Sequence, residues 1–112
     1  MNPKDIADAY QEAVKLANEW LAKAATQTDG EPIRLTITPP GPNSRRALGA
    51  SPEVIQEATR QNCRLYVTLM VAADQMGRSG IPTTLQTIGQ GRQWLVTILT
   101  SDKQPEEMIV NA

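Results

Sequence analysis

Residues Thr83 to Thr100 read TTLQTIGQGRQWLVTILT. Two runs rich in β-branched residues, 83–88 and 93–100, flank Gly89-Gln90-Gly91. That pattern predicts a β-hairpin. A helix over the same stretch would hold two glycines in its interior, at about 1 kcal/mol each. The hairpin therefore decides for a protein that mixes sheet with helix.

Upstream lies Ser51-Pro52-Glu53, with Ser51 placed to cap a helix and Pro52 at its first position. Met76-Gly77 closes it. Val54, Ile55, Ala58, Leu65, Tyr66, Leu69, Met70, Ala72, Ala73 and Met76 cover about half of the helical wheel at 100° per residue. Leu65 to Val71 also has strand composition. The start and stop signals on either side decide for a helix. Val67 and Val71 fall on its otherwise polar side, so its second half is apolar nearly all round.

Further upstream, Ile33, Leu35 and Ile37 alternate with Arg34, Thr36 and Thr38, the pattern of a half-buried strand. Pro39-Pro40-Gly41-Pro42 ends it. The chain opens with a helix over about Pro3 to Thr26, with Asn2 as its cap. Asp5 and Asp8 suit the positive end of its dipole. Ile6, Tyr10, Ala13, Val14, Ala17, Trp20, Leu21 and Ala24 form its expected buried stripe. No internal repeat is evident.

The expected fold is α+β, in the order α-β-α-β-β. Two amphipathic helices pack on a small, about three-stranded, mainly antiparallel sheet. Residues 1–101 form a single domain. Residues 102–112 form a polar tail in which Met108-Ile109-Val110 is the segment suited to docking.

The chain has 112 residues, 40% of them hydrophobic and 21% charged, with a net charge of −1, which suits one globular core. The longest nearly apolar run, Leu65 to Ala73, is nine residues and contains Thr68, too short to span a bilayer. No basic segment followed by an apolar one stands at the start, so no leader is expected and the cytoplasm is the expected compartment. No histidine is present, which removes the usual catalytic base and the commonest metal ligand. One cysteine, Cys63, supports neither an internal disulfide nor a cysteine–histidine nucleophile. Neither a metal nor a cofactor is expected, and no catalytic residue is assigned. The composition favours a binding protein over an enzyme.

Charge is uneven. Residues 1–32 use only lysine as base and carry net −3, whereas 33–78 use only arginine and carry net +3. Arginine's planar fork suits phosphate and carboxylate. Pro42-Asn43-Ser44-Arg45-Arg46-Ala47-Leu48-Gly49-Ala50-Ser51 runs into the second helix. Helix N-termini favour anions. The expected ligand site is therefore Ser44, Arg45, Arg46, Gly49 and Ser51, joined by Arg34 from the preceding strand. Its ligand would carry a phosphate, as a nucleotide or nucleotide-like signal does. The competing account is a solvated loop with Ser51 as an ordinary cap. The stretch is not a P-loop, since no glycine–lysine–serine/threonine core is present.

Arg60, Asn62 and Arg64 are secondary candidates. Arg60 and Arg64 lie one turn apart, but Glu53, Glu57 and the net charge argue against nucleic acid. Glu57 is placed to pair with Arg60 within the helix. Asn62 falls in the apolar arc, where an amide serves packing specificity or lines a pocket. Trp94 to Leu99 is apolar on both strand faces. With Val67 and Val71, this predicts a homo-oligomer whose interface contains Val67, Val71, Trp94, Val96 and Ile98. The rival function is a protein–protein interaction adaptor or inhibitor, or a structural accessory subunit, without a small ligand. No membrane partner is expected.

Overall fold

A computed structural model describes residues 1–39, 49 and 51–100. Its elements are α1 (Pro3–Thr26), β1 (Ile33–Ile37), α2 (Pro52–Arg78), β2 (Thr83–Ile88) and β3 (Gln93–Ile98). The expected α+β order holds: two helices pack on a three-stranded antiparallel sheet. The tail 102–112 and the loop residues Ser44, Arg45 and Arg46 lie outside the described residues.

Both helices begin as their sequences dictate. Asn2 Oδ1 accepts from the Asp5 N–H at 2.8 Å, and Ser51 Oγ accepts from the Val54 N–H at 3.3 Å. Proline follows each cap, where its missing N–H costs nothing. α2 runs unbroken through 64–72, so the strand-like composition there yields to the caps and to packing.

β3 is the central strand. Ile33, Leu35 and Ile37 of β1 lie opposite Ile98, Val96 and Trp94, and β2 places Thr83, Leu85 and Thr87 opposite the same three residues. These residues form the inner face, beneath the helices. Val96 and Ile98 are fully buried there with Ala13, Ala17, Trp20, Leu69, Ala72 and Met76. Arg34, Thr36, Thr84 and Gln86 are exposed on the outer face.

The two helices are parallel. Asp5 meets Arg60 and Ala9 meets Thr68, so residue numbers rise together along the pair. Each helix then returns through Gly-x-Pro into an edge strand: Gly30-Glu31-Pro32 before β1, Gly80-Ile81-Pro82 before β2. Both glycines have positive φ, +76° and +83°, a region glycine enters without a Cβ clash. The fold is thus two α–β units side by side, with β3 filling the slot between their strands. This short internal echo is absent from the expectation of a chain without repeats.

Two expectations about the core are corrected. On α1 the buried line is Asp5, Ala9, Ala13, Ala17 and Trp20, whereas Ile6, Tyr10 and Val14 are exposed. Small residues let α2 approach closely, and the strip it covers is narrower than the apolar arc. Val96 and Ile98, expected between copies, are committed to this chain's own core because β3 turns its alternate side chains toward the helices. Trp94 and Val71 pack against that core while half-buried, and Val67 is half-buried.

This division of core from surface sets a prediction. Leu69→Ala should lower unfolding free energy by about 2–5 kcal/mol through the cavity it leaves. Tyr10→Ala, on a half-exposed residue, should stay within about 0.5 kcal/mol. Urea denaturation of the two variants beside the parent chain checks both.

Candidate functional site

The expected anion site is only partly within the described residues. Gly49 is exposed with φ +82°, and Ser51 is exposed. Ser51 already serves the helix, since its hydroxyl holds the Val54 N–H and its carbonyl accepts from the Ile55 N–H at 3.1 Å. Pro52 has no N–H, so Glu53 supplies the remaining first-turn donor. Arg34 extends from the outer face of the sheet, whereas α2 covers the inner face. The structure therefore does not bring Arg34 to the α2 N-terminus.

Arg60 is engaged elsewhere. At 1.5 Å per residue the helices are about 36 and 40 Å long. The strands, at 3.3 Å per residue, reach only about 20 Å. Tyr66 touches Trp94, with ring centroids 5.6 Å apart, at the end of the sheet where β1 finishes. The first turns of α2 therefore project beyond the sheet. In that projecting part Arg60 makes a fork. Its Nε and Nη2 donate to the two carboxylate oxygens of Glu57 at 3.0 and 2.6 Å, and its Nη1 donates to Asp5 Oδ1 at 2.6 Å. The Glu57 pairing matches the sequence reading. The Asp5 pairing was not expected, because nothing local links residues 5 and 60. Asp5 is buried, and its Oδ2 has no partner among the described residues. The cluster is an electrostatic staple between α1 and α2, and it leaves Arg60 no free fork for a phosphate.

Hydrogen bonds from Arg60, then from Gln61, hold the Glu57 carboxyl down to about 2, against its ordinary 4.5. The reciprocal bond from Glu57 raises the Arg60 guanidinium. Arg64 is half-buried beside Thr68, whose hydroxyl donates to the Arg64 carbonyl at 2.9 Å and lies 3.4 Å from the Ala9 carbonyl. Asn62 is half-buried, with its Oδ1 enclosed and without a partner among the described residues. Cys63 is exposed. Among the described residues no group of three histidine, cysteine or carboxylate side chains is placed to hold a metal ion, and no helix is long and apolar enough to cross a membrane.

What the structure does bring together is apolar surface. Ile6, Tyr10 and Val14, at four-residue spacing, form one stripe along α1 and are 43%, 53% and 52% exposed. Tyr66 and Met70 form a second pair on α2, 46% and 47% exposed. The signal for both was present in the sequence, as an apolar arc wider than one contact needs. The chain matches no protein-family model, no curated protein and no solved structure.

The Glu57 pairing sets a pH prediction. A carboxyl depressed in the fold contributes stability above its unfolded value, and that contribution is lost as pH falls through the folded value. The gap in urea midpoint between the parent chain and Glu57→Gln should be full above pH 4.5 and should close as pH approaches 2. It should be modest and salt-sensitive, since both partners are substantially exposed.

Proposed function

We propose that this chain is a non-enzymatic, cytoplasmic protein-interaction module whose α1 lays its exposed apolar stripe into a groove of a partner protein. The observation that carries this reading is the Ile6–Tyr10–Val14 stripe. A row of apolar side chains at i, i+4 and i+8 fits the helix-in-groove mode of recognition. Such a row is costly to leave in water, at roughly 25 cal/mol per Å² of apolar area. A binding role needs no base, nucleophile or metal, in keeping with a chain that has no histidine and ties its buried Asp5 to Arg60.

The phosphate-ligand reading retains one supporting observation, the positive φ of Gly49 directly ahead of the capped end of α2. It assigns binding to Ser44, Arg45, Arg46, Gly49 and Ser51 without Arg34 or Arg60. Titration with ADP should then show heat that Arg45→Gln with Arg46→Gln removes. No heat with the parent chain removes that reading.

The docking reading is tested by a photo-crosslinking residue placed at Tyr10 and, separately, at Glu19, in cells making the full chain. A partner band is expected from position 10 and not from position 19. Adding Val14→Glu should abolish the band while leaving the circular dichroism unchanged. Equal capture from both positions, or a band untouched by Val14→Glu, counts against it.

A further inference from the structure

The Ile6–Tyr10–Val14 row straddles the end of the sheet. The Thr68 hydroxyl lies 3.4 Å from the Ala9 carbonyl, and Tyr66, just before it on α2, meets Trp94 where β1 finishes. In the turns before Ala9, α1 therefore runs beyond the sheet. Its share of the main core, Ala13, Ala17 and Trp20, lies wholly on the other side of that point. Val14 sits on the anchored part of the helix, and Ile6 sits on the projecting part.

In the projecting part, each helix is complete by itself. On α1, Asn2 holds the Asp5 N–H with its side chain and the Ile6 N–H with its carbonyl, at 2.8 and 3.2 Å. On α2, Arg60 Nε and Nη2 are held by Glu57 of the same helix. What joins the two is the bond from Arg60 Nη1 to Asp5 Oδ1, among the described residues the one ion pair between two elements. Asp5 is 5% exposed, and its Oδ2 is enclosed without a partner among the described residues. Buried polar atoms are normally bonded, and a bare one forfeits its hydration. Closing thus gains one charge-assisted bond and strips one carboxylate oxygen of water. Opening returns Asp5 to water and leaves the Arg60–Glu57 fork intact. These opposed contributions bring the closed and open states close in free energy.

We propose that the Asp5–Arg60 bond is a latch that regulates the α1 docking site. Latched, about two turns of α1 lie on α2 beyond the sheet, and Ile6, Tyr10 and Val14 form one row. Unlatched, those turns fray, and the row loses Ile6 and the support beneath Tyr10. A partner that takes the whole row binds the latched state, so docking and latching stabilise each other. The proposal rests on the docking reading and adds its control. Replacing a buried ion pair by apolar residues is often neutral or stabilising. A charged joint at this place therefore keeps the end of α1 able to open.

Amide hydrogen exchange of the full chain, followed by NMR without a partner, tests the latch. In the parent chain the amides of Ala7 to Tyr10 should be protected, but less than those of Ala17 and Trp20. Arg60→Gln should speed exchange at Ala7 to Tyr10 at least about tenfold and leave Ala17 and Trp20 unchanged. Arg60→Lys, which keeps a cation for Asp5, should recover most of the protection. Asp5→Leu with Arg60→Met should slow exchange there below the parent rate. Equal acceleration along all of α1, unprotected amides at Ala7 to Tyr10 in the parent, or faster exchange in the apolar pair overturns the latch. Its hold over docking is read with the photo-crosslinking residue at Tyr10. The partner band should weaken in Arg60→Gln and strengthen in the apolar pair. A latch that opens while the band stays constant overturns the regulatory role. A parent chain without a band removes the docking reading and that role with it, and the exchange rates still decide whether the latch exists.

Discussion

The close parallel approach of α1 and α2 is the constraint on which the rest of the structure depends. Ala9, Ala13 and Ala17 are almost wholly buried, as are Thr68 and Ala72. Side chains this small let two helices run side by side, and the larger Trp20 and Met76 then fill the space nearer the sheet. Because the helices point the same way, the strands that follow them also point the same way. β3 fills the slot between those two strands, and the short turn that joins it to β2 makes it antiparallel to both.

Much of this was legible in the sequence. Asn2-Pro3 and Ser51-Pro52 fix both helix starts through local chemistry, and Gly89-Gln90-Gly91 marks the hairpin turn. The alternation of Ile33, Leu35 and Ile37 identifies β1 and its inward face. Other features depend on partners that sequence spacing does not reveal. The buried line of α1 is shifted from the centre of its apolar arc because α2 covers only part of that arc. The Asp5–Arg60 bond joins residues 55 positions apart. Strand order decides that Val96 and Ile98 are core and that β2 is an edge. The Gly-x-Pro echo was readable as letters, but its meaning emerges only when both copies are seen to lead into flanking strands.

The candidate sites divide along the same line. Arg34 and Arg60 carry the right chemistry for an anion, yet the fold places one on the far face of the sheet and ties the other to two carboxylates. Apolar surface survives better as a functional signal. The exposed stripe on α1 and the flank of α2 above β2 are both remainders, what is left of each amphipathic arc after the shared core is filled. Each lies on a helix rather than on a loop.

The central position of β3 also bears on how the chain reaches its fold. β3 is the last of the five described elements along the chain, yet it is the strand that both others need. Ile33 pairs with Ile98, so β1 must wait for most of the chain before any of its backbone bonds to the sheet form. Contacts so distant in sequence slow folding, because the loop must close before any bond rewards it. Until then the first α–β unit exposes an unpaired strand beside its helix. Such intermediates are prone to aggregate. A chain built this way depends on α1 and α2 finding each other early, holding two strands apart at the spacing that the last one will fill.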